Sequence, residues 1–152
     1  MQAMGAAGAS GAMMGCVLVV DAANVIGSRP DGWWRDRAGA ARRLVEHLRA
    51  AAAAGALVGP VVVVLEGAAR PGVGPGTQAA VRVVHAPGAG DDTLLAEVSA
   101  AAGEVVLVSA DRELRTAAVR LGARVVGPSW LHERLDQAPT TVPSRRDDPP
   151  AQ

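Results

Sequence analysis

The 152 residues carry 15 basic and 15 acidic side chains, with 49% in the hydrophobic set and only 20% charged. Such a chain can bury enough apolar surface to offset its conformational entropy, so it predicts one folded domain and excludes wholesale disorder. No apolar run approaches the roughly 18 to 20 residues that cross a bilayer, because Asp21, Glu66 and Asp111 interrupt the longest ones.

The balanced charge gives no general pull toward nucleic acid, so a polyanionic partner has to be held by local charge or by a metal. Every cation is arginine; with heavy Ala, Gly and Val use, this reads as GC-rich coding bias rather than as a functional signal. Cys16 is the single cysteine. It excludes an internal disulfide and a multi-cysteine zinc site, suits a reducing cytoplasm, and reads as a small buried hydrophobe.

Residues 1–14 (MQAMGAAGASGAMM) lack periodicity and charge and are expected to form a disordered tail, with Met13 and Met14 as alternative start positions. No basic region precedes the apolar stretch at 16–20, which ends in Asp21, so a signal peptide is not expected; Gly15-Cys16 likewise lacks a lipoprotein leader. A domain is expected over 15–137. The stretch 138–152, with Pro139, Pro143, Pro149 and Pro150, is expected to be a second disordered tail.

Between the tails, CVLVV (16–20), VVVVL (61–65), VRVVHA (81–86), VVLVS (105–109) and ARVVG (123–127) predict strands. Most lack in-out alternation, as strands covered on both faces of a parallel sheet do. Segments 36–54, 91–102, 111–121 and 128–136 predict helices, with Leu44, Val45, Leu48 and Ala52, then Leu94, Leu95, Val98 and Ala102, then Leu114, Ala117, Ala118 and Leu121 each sharing a face. Asp91 and Asp111 suit helix starts, Pro128 a first turn, and Gly103 and Gly122 helix ends. Five strands with helical crossovers make an α/β domain with a mainly parallel sheet, which binds ligands beyond the carboxyl ends of its strands.

Acids stand at those ends. Asp21 follows the first predicted strand, Glu66 the second, Asp91 and Asp92 the loop after the third, and Asp111 the fourth. Two carboxylates about 4 Å apart repel by roughly 4 kcal/mol at a protein surface, so the cluster calls for protons or cations. Arg70 and Arg112 are candidates to neutralise part of it. Hard oxygen donors without Cys or His point to Mg²⁺ or Mn²⁺. The competing reading is structural: Asp91, Asp111 and Asp21 serve as helix caps or turn residues, each contributing about 1 kcal/mol.

VVDAANVIG at 19–27 resembles the opening motif of NYN domains, a PIN-like nuclease group, in which a strand ends in Asp followed by a small pair and Asn. GDD at 90–92 and SADRELR at 109–115 resemble that fold's later acidic motifs, in order. The resemblance covers about 16–136, with Ala22 where such motifs often carry glycine. Some similar short actinobacterial proteins carry the label NTP pyrophosphohydrolase, whose basis is not visible in these residues.

The resemblance implies a three-layer PIN-like domain in which Asp21, Asp91 or Asp92, and Asp111 bind metal, with Asn24 orienting Asp21 or a scissile phosphate. It implies metal-assisted hydrolysis of RNA phosphodiesters. Glu66 joins the metal set from the strand reading alone. The reading fails if these groups stand further apart than a coordination sphere spans, with no rearrangement able to gather them.

SRPDGWWRDR at 28–37 places Trp33 and Trp34 among Arg29, Arg35 and Arg37. Indole faces stack on unpaired bases for about 1 to 3 kcal/mol each and guanidinium groups contact phosphate, which suits single-stranded RNA. Alternatively one tryptophan plugs the gap between helix and sheet in a chain without Phe or Tyr. The APGAG loop at 86–90 has no P-loop lysine and reads as a turn delivering Asp91. His47, His85 and His132 show no metal spacing, Ser109 reads as a strand end, and WLHERL at 130–135 as an amphipathic closing helix. The alternatives to a ribonuclease are a nucleotide pyrophosphohydrolase or phosphatase using the same site, and a non-catalytic RNA-binding or protein-interaction module. A homo-oligomer is compatible with the sequence but not indicated by it.

Overall fold

A computed structural model describes residues 16–138; the tails expected at 1–14 and 138–152 lie outside the described residues, Ala138 apart. The strands are β1 Val17–Asp21, β2 Val61–Leu65, β3 Gly76–Gln78, β4 Val81–His85, β5 Val105–Val108 and β6 Arg124–Val126. The helices are α1 Ala22–Gly27, α2 Arg37–Ala53, α3 Gly90–Ala100, α4 Arg112–Arg120 and α5 Pro128–Gln137, with 3-10 turns at Trp33–Arg35 and Gly67–Gly72.

The strands form one sheet in the order β3-β4-β2-β1-β5-β6. Every pairing is parallel except β3 with β4. Alternate side chains of each valine-rich strand enter opposite cores. Leu18, Val20, Val61, Val63 and Val106 pack with Val25 of α1, Leu44, Val45 and Leu48 of α2, and Leu131 of α5. Val19, Val62, Val64 and Leu107 face the other way, onto Leu94 and Val98 of α3 and Leu114 and Ala118 of α4. Burying a Val or Leu side chain contributes about 1.5 to 3 kcal/mol, so continuous apolar strands are what this three-layer arrangement requires. Cys16 is buried, and burial pushes its thiol pKa up.

The sheet has six strands rather than about five. The extra one, β3, is an exposed GTQ tripeptide with no apolar signal. It joins β4 through Ala79 and Ala80, which take left-handed backbone with φ of 54° and 66°, as a tight two-residue hairpin turn needs. The six-residue α1 is also new; it is too short to show helical periodicity and starts directly on the strand end.

Asp111 caps α4 as expected, accepting from Leu114 N at 3.0 Å. Asp91 is not a cap: it lies within the first turn of α3, whose cap position is Ala89 with no side-chain bond. Glu66 supplies the missing acceptor from the end of β2, its Oε1 taking the Gly90 N–H. Past α4, Gly122 adopts φ of +96°, where an L side chain is strained, and closes the turn that leads into β6.

Candidate active site

Chain order reverses across β1, which lies between β2 and β5. That reversal opens a crevice at the carboxyl edge of the sheet, where open α/β sheets bind ligands. Asp21 is the last residue of β1 and pairs in register with Val64 of β2. Glu66 leaves β2, Asp91 and Asp92 occupy the first turn of the helix that follows β4, and Asp111 caps the helix after β5. Four adjacent parallel strands therefore deliver their acids to one edge, the placement expected from the sequence.

Asp21 is buried and held from two directions. Its Oδ1 accepts from Asn24 N at 3.3 Å, the cap of α1, and its Oδ2 accepts from Ser109 Oγ at 2.9 Å. Ser109, fully buried at the end of β5, also accepts from Asp111 N at 3.1 Å. Asn24 completes the bridge across the crevice, its Oδ1 accepting from Ala110 N at 2.7 Å. The structure bears out the cap reading for Asp21 and Asp111; a carboxylate bonded to one amide retains acceptor capacity, so capping and ligand binding are compatible at these residues. Sequence reasoning missed Ser109; the signal was its place two residues before Asp111 in SADRELR.

Burial raises the Asp21 pKa, the bonds from Ser109 and Asn24 oppose the rise, and the charges of Glu66 and Asp91 add to it. The Asp91 pKa is also raised, by lost hydration first and then by Asp111, Glu66, Asp92 and Glu113. The acids therefore sense one another across strand ends. They do not form a ready coordination sphere: among the described residues, no three His, Cys, Asp or Glu side chains are grouped closely enough to hold a metal ion. The donor set still has the chemistry a hard divalent cation takes, all carboxylate oxygen. For Asp21 and Asp91 alike, lost hydration comes first in the raised proton affinity and the neighbouring acids add to it.

Arg70 does not neutralise the edge through an ion pair. It donates to the carbonyls of Gly67 and Ala86 at 3.3 and 3.2 Å. Arg112 is the first residue of α4. Among the described residues the ion pairs are Arg29–Asp136 at 3.2 Å and Arg82–Glu97, both away from the acids.

Two clefts flank the acids. One, of about 300 Å³, is lined by Trp33, Arg37, Glu66 and Gly88. Trp33 and Trp34 meet edge to face with centroids 5.8 Å apart, Arg37 lies over Trp33 at 5.3 Å, and Arg35 over Trp34 at 5.9 Å. Trp34 is 50% exposed, and Trp130 of α5, not Trp33 or Trp34, is the tryptophan packed against the core. The other cleft, of about 640 Å³, runs from Asn24 and Ala110 to Arg29, His132 and Asp136. His85 is engaged elsewhere, its Nε2 2.7 Å from the Val73 carbonyl.

No protein-family model and no curated protein sequence matches the chain. Among solved structures it is similar to Rae1 (YacP) from Bacillus subtilis, crystallised as a tryptophan-to-leucine variant, with a TM-score of 0.63 and 18% identity over 79% of this chain and 74% of that one. The likeness identifies the architecture as a three-layer α/β PIN-like fold. No helix among the described residues is long and apolar enough to cross a membrane.

Proposed function

We propose that the protein is a metal-dependent ribonuclease hydrolysing single-stranded RNA at the carboxylate edge. The observation that carries the reading is the delivery of Asp21, Glu66, Asp91, Asp92 and Asp111 to one edge of the sheet by four adjacent strands, with the first and third raised in pKa partly by their neighbours' charge. The PIN-like architecture and the NYN-like motifs support it.

Those five acids are the residues that would hold Mg²⁺ or Mn²⁺. When bound, such an ion lowers the pKa of a coordinated water and polarises a phosphoryl oxygen. The chain's own groups do the rest. Ser109 and the Asn24 amide fix the Asp21 carboxylate. The Asn24 side chain directs its oxygen to Ala110 N, which leaves its NH₂ end to donate to a phosphoryl oxygen. Asp91, whose proton affinity is raised, suits the general base toward water. Trp33 and Trp34 offer faces for bases, and Arg35 and Arg112 offer cations for the strand's phosphates, whereas Arg29 is paired with Asp136 and Arg70 donates to the carbonyls of Gly67 and Ala86.

The test is purified protein with labelled single-stranded RNA and, separately, nucleoside triphosphates, each with Mn²⁺ or EDTA, beside Asp21→Asn. Oligonucleotide release that needs both Mn²⁺ and Asp21 is expected. Phosphate or pyrophosphate release from triphosphates alone would instead establish the nucleotide hydrolase, and RNA binding without turnover the binding module.

A further inference from the structure

The two clefts beside the acids share one side chain, Ala23. It is exposed on the first turn of α1, two positions after Asp21 and next to Asn24. As the residue that lines both, Ala23 marks where the Trp33 cleft and the larger cavity under α5 come together, and a flexible chain crossing it would lie beside the acidic edge.

The larger cavity, about 640 Å³, falls in the range of sites that enclose a small organic molecule. Its lining favours the nucleoside portion of a strand over a phosphate. Glu133 and Asp136 line it, and its cation Arg29 is already paired with Asp136. In its wall, Ser28 Oγ donates to the Val25 carbonyl at 2.6 Å and stands 2.9 Å from His132 Nε2. Assigning the serine proton to the Val25 carbonyl makes Nε2 the donor toward Oγ and leaves Nδ1 as an acceptor in the neutral ring. Burial, then Arg29, hold His132 below the usual histidine range, which keeps the ring neutral near pH 7.

We propose that a single RNA strand crosses the site over Ala23, with one nucleotide seated in the cavity between α1 and α5 and its neighbour in the Trp33 cleft, and that His132 reads the seated nucleotide through a hydroxyl or amino donor. This rests on the ribonuclease reading. It adds a path, a subsite and a specificity-determining residue to it.

The experiment compares Ala23→Trp with the unaltered full chain on a labelled RNA oligonucleotide and on bis(4-nitrophenyl) phosphate, a phosphodiester without nucleosides, both with Mn²⁺, after melting curves establish that the variant folds. The ratio of kcat/KM on the oligonucleotide to that on the nucleoside-free diester should fall at least about tenfold, because only the RNA has nucleotides to seat in both clefts. His132→Ala should raise KM for the oligonucleotide about fivefold or more relative to kcat, and it carries the test alone if Ala23→Trp unfolds. An unchanged ratio in folded Ala23→Trp, or unaltered KM in His132→Ala, overturns the path while leaving the ribonuclease in place. Absence of RNA cleavage by the unaltered chain overturns both.

Discussion

Ser109→Ala tests the internal wiring of the site. The hydroxyl is fully buried, donates to Asp21 Oδ2 at 2.9 Å and accepts from Asp111 N at 3.1 Å. Its removal leaves a carboxylate oxygen and a backbone donor without that partner. A hydrogen bond to a charged group contributes about 1.5 to 3 kcal/mol, against about 1 for a neutral one. The loss should therefore be about 2 to 3 kcal/mol, once some credit is given for repacking around the missing oxygen. Urea unfolding at neutral pH measures it directly.

The same deletion removes the leading influence that lowers the Asp21 pKa, so the acid limb of the pH-rate profile should move to higher pH. A double-mutant cycle with Asp21→Ala separates the pair from general packing and should give a coupling of at least about 1 kcal/mol. A loss under about 0.5 kcal/mol with an unmoved acid limb would refute the assignment of Ser109 as the residue that holds Asp21.

Asp21→Asn and Asp111→Asn should each lower metal-dependent RNA cleavage by at least about a hundredfold while the far-ultraviolet circular dichroism is retained; unchanged rates in both would sink the active-site assignment. Trp33→Ala with Trp34→Ala should weaken RNA binding, read by fluorescence anisotropy on the Asp21→Asn background, with little change in melting temperature, since neither ring belongs to the core. Asp21 and Asp91 have folded pKa values above their ordinary one, so their contribution to stability is fully present below the unfolded value and lost as pH rises through the folded one. Asp91→Asn should accordingly raise the melting temperature at neutral pH, and Mn²⁺ should raise that of the unaltered chain more at neutral pH than in the acid range. Equal cation effects at both would falsify the linkage.

The layered fold was legible because its signal is simple. Runs such as Val61–Leu65 are apolar at every position, and only a strand covered on both faces uses all of them. The acids were legible as a set because they follow those runs. Elements without a periodic pattern escaped: β3 has three exposed residues, and α1 is a six-residue turn that Asp21 starts by accepting from Asn24 N. The sequence could not reveal Glu66 reaching Gly90, nor Arg70 spending its donors on carbonyls, because both depend on which loops lie side at side across the sheet. Ser109 read as an ordinary strand end because its role lies in a partner 88 positions away.

The sheet stops abruptly at both margins, with β3 and β6 only three residues each. So brief a row of unsatisfied amides and carbonyls gives a foreign strand almost nothing to zip onto. Among the described residues, the surfaces left for self-association are therefore side-chain surfaces such as helix faces, rather than a ladder continued from one molecule into the next.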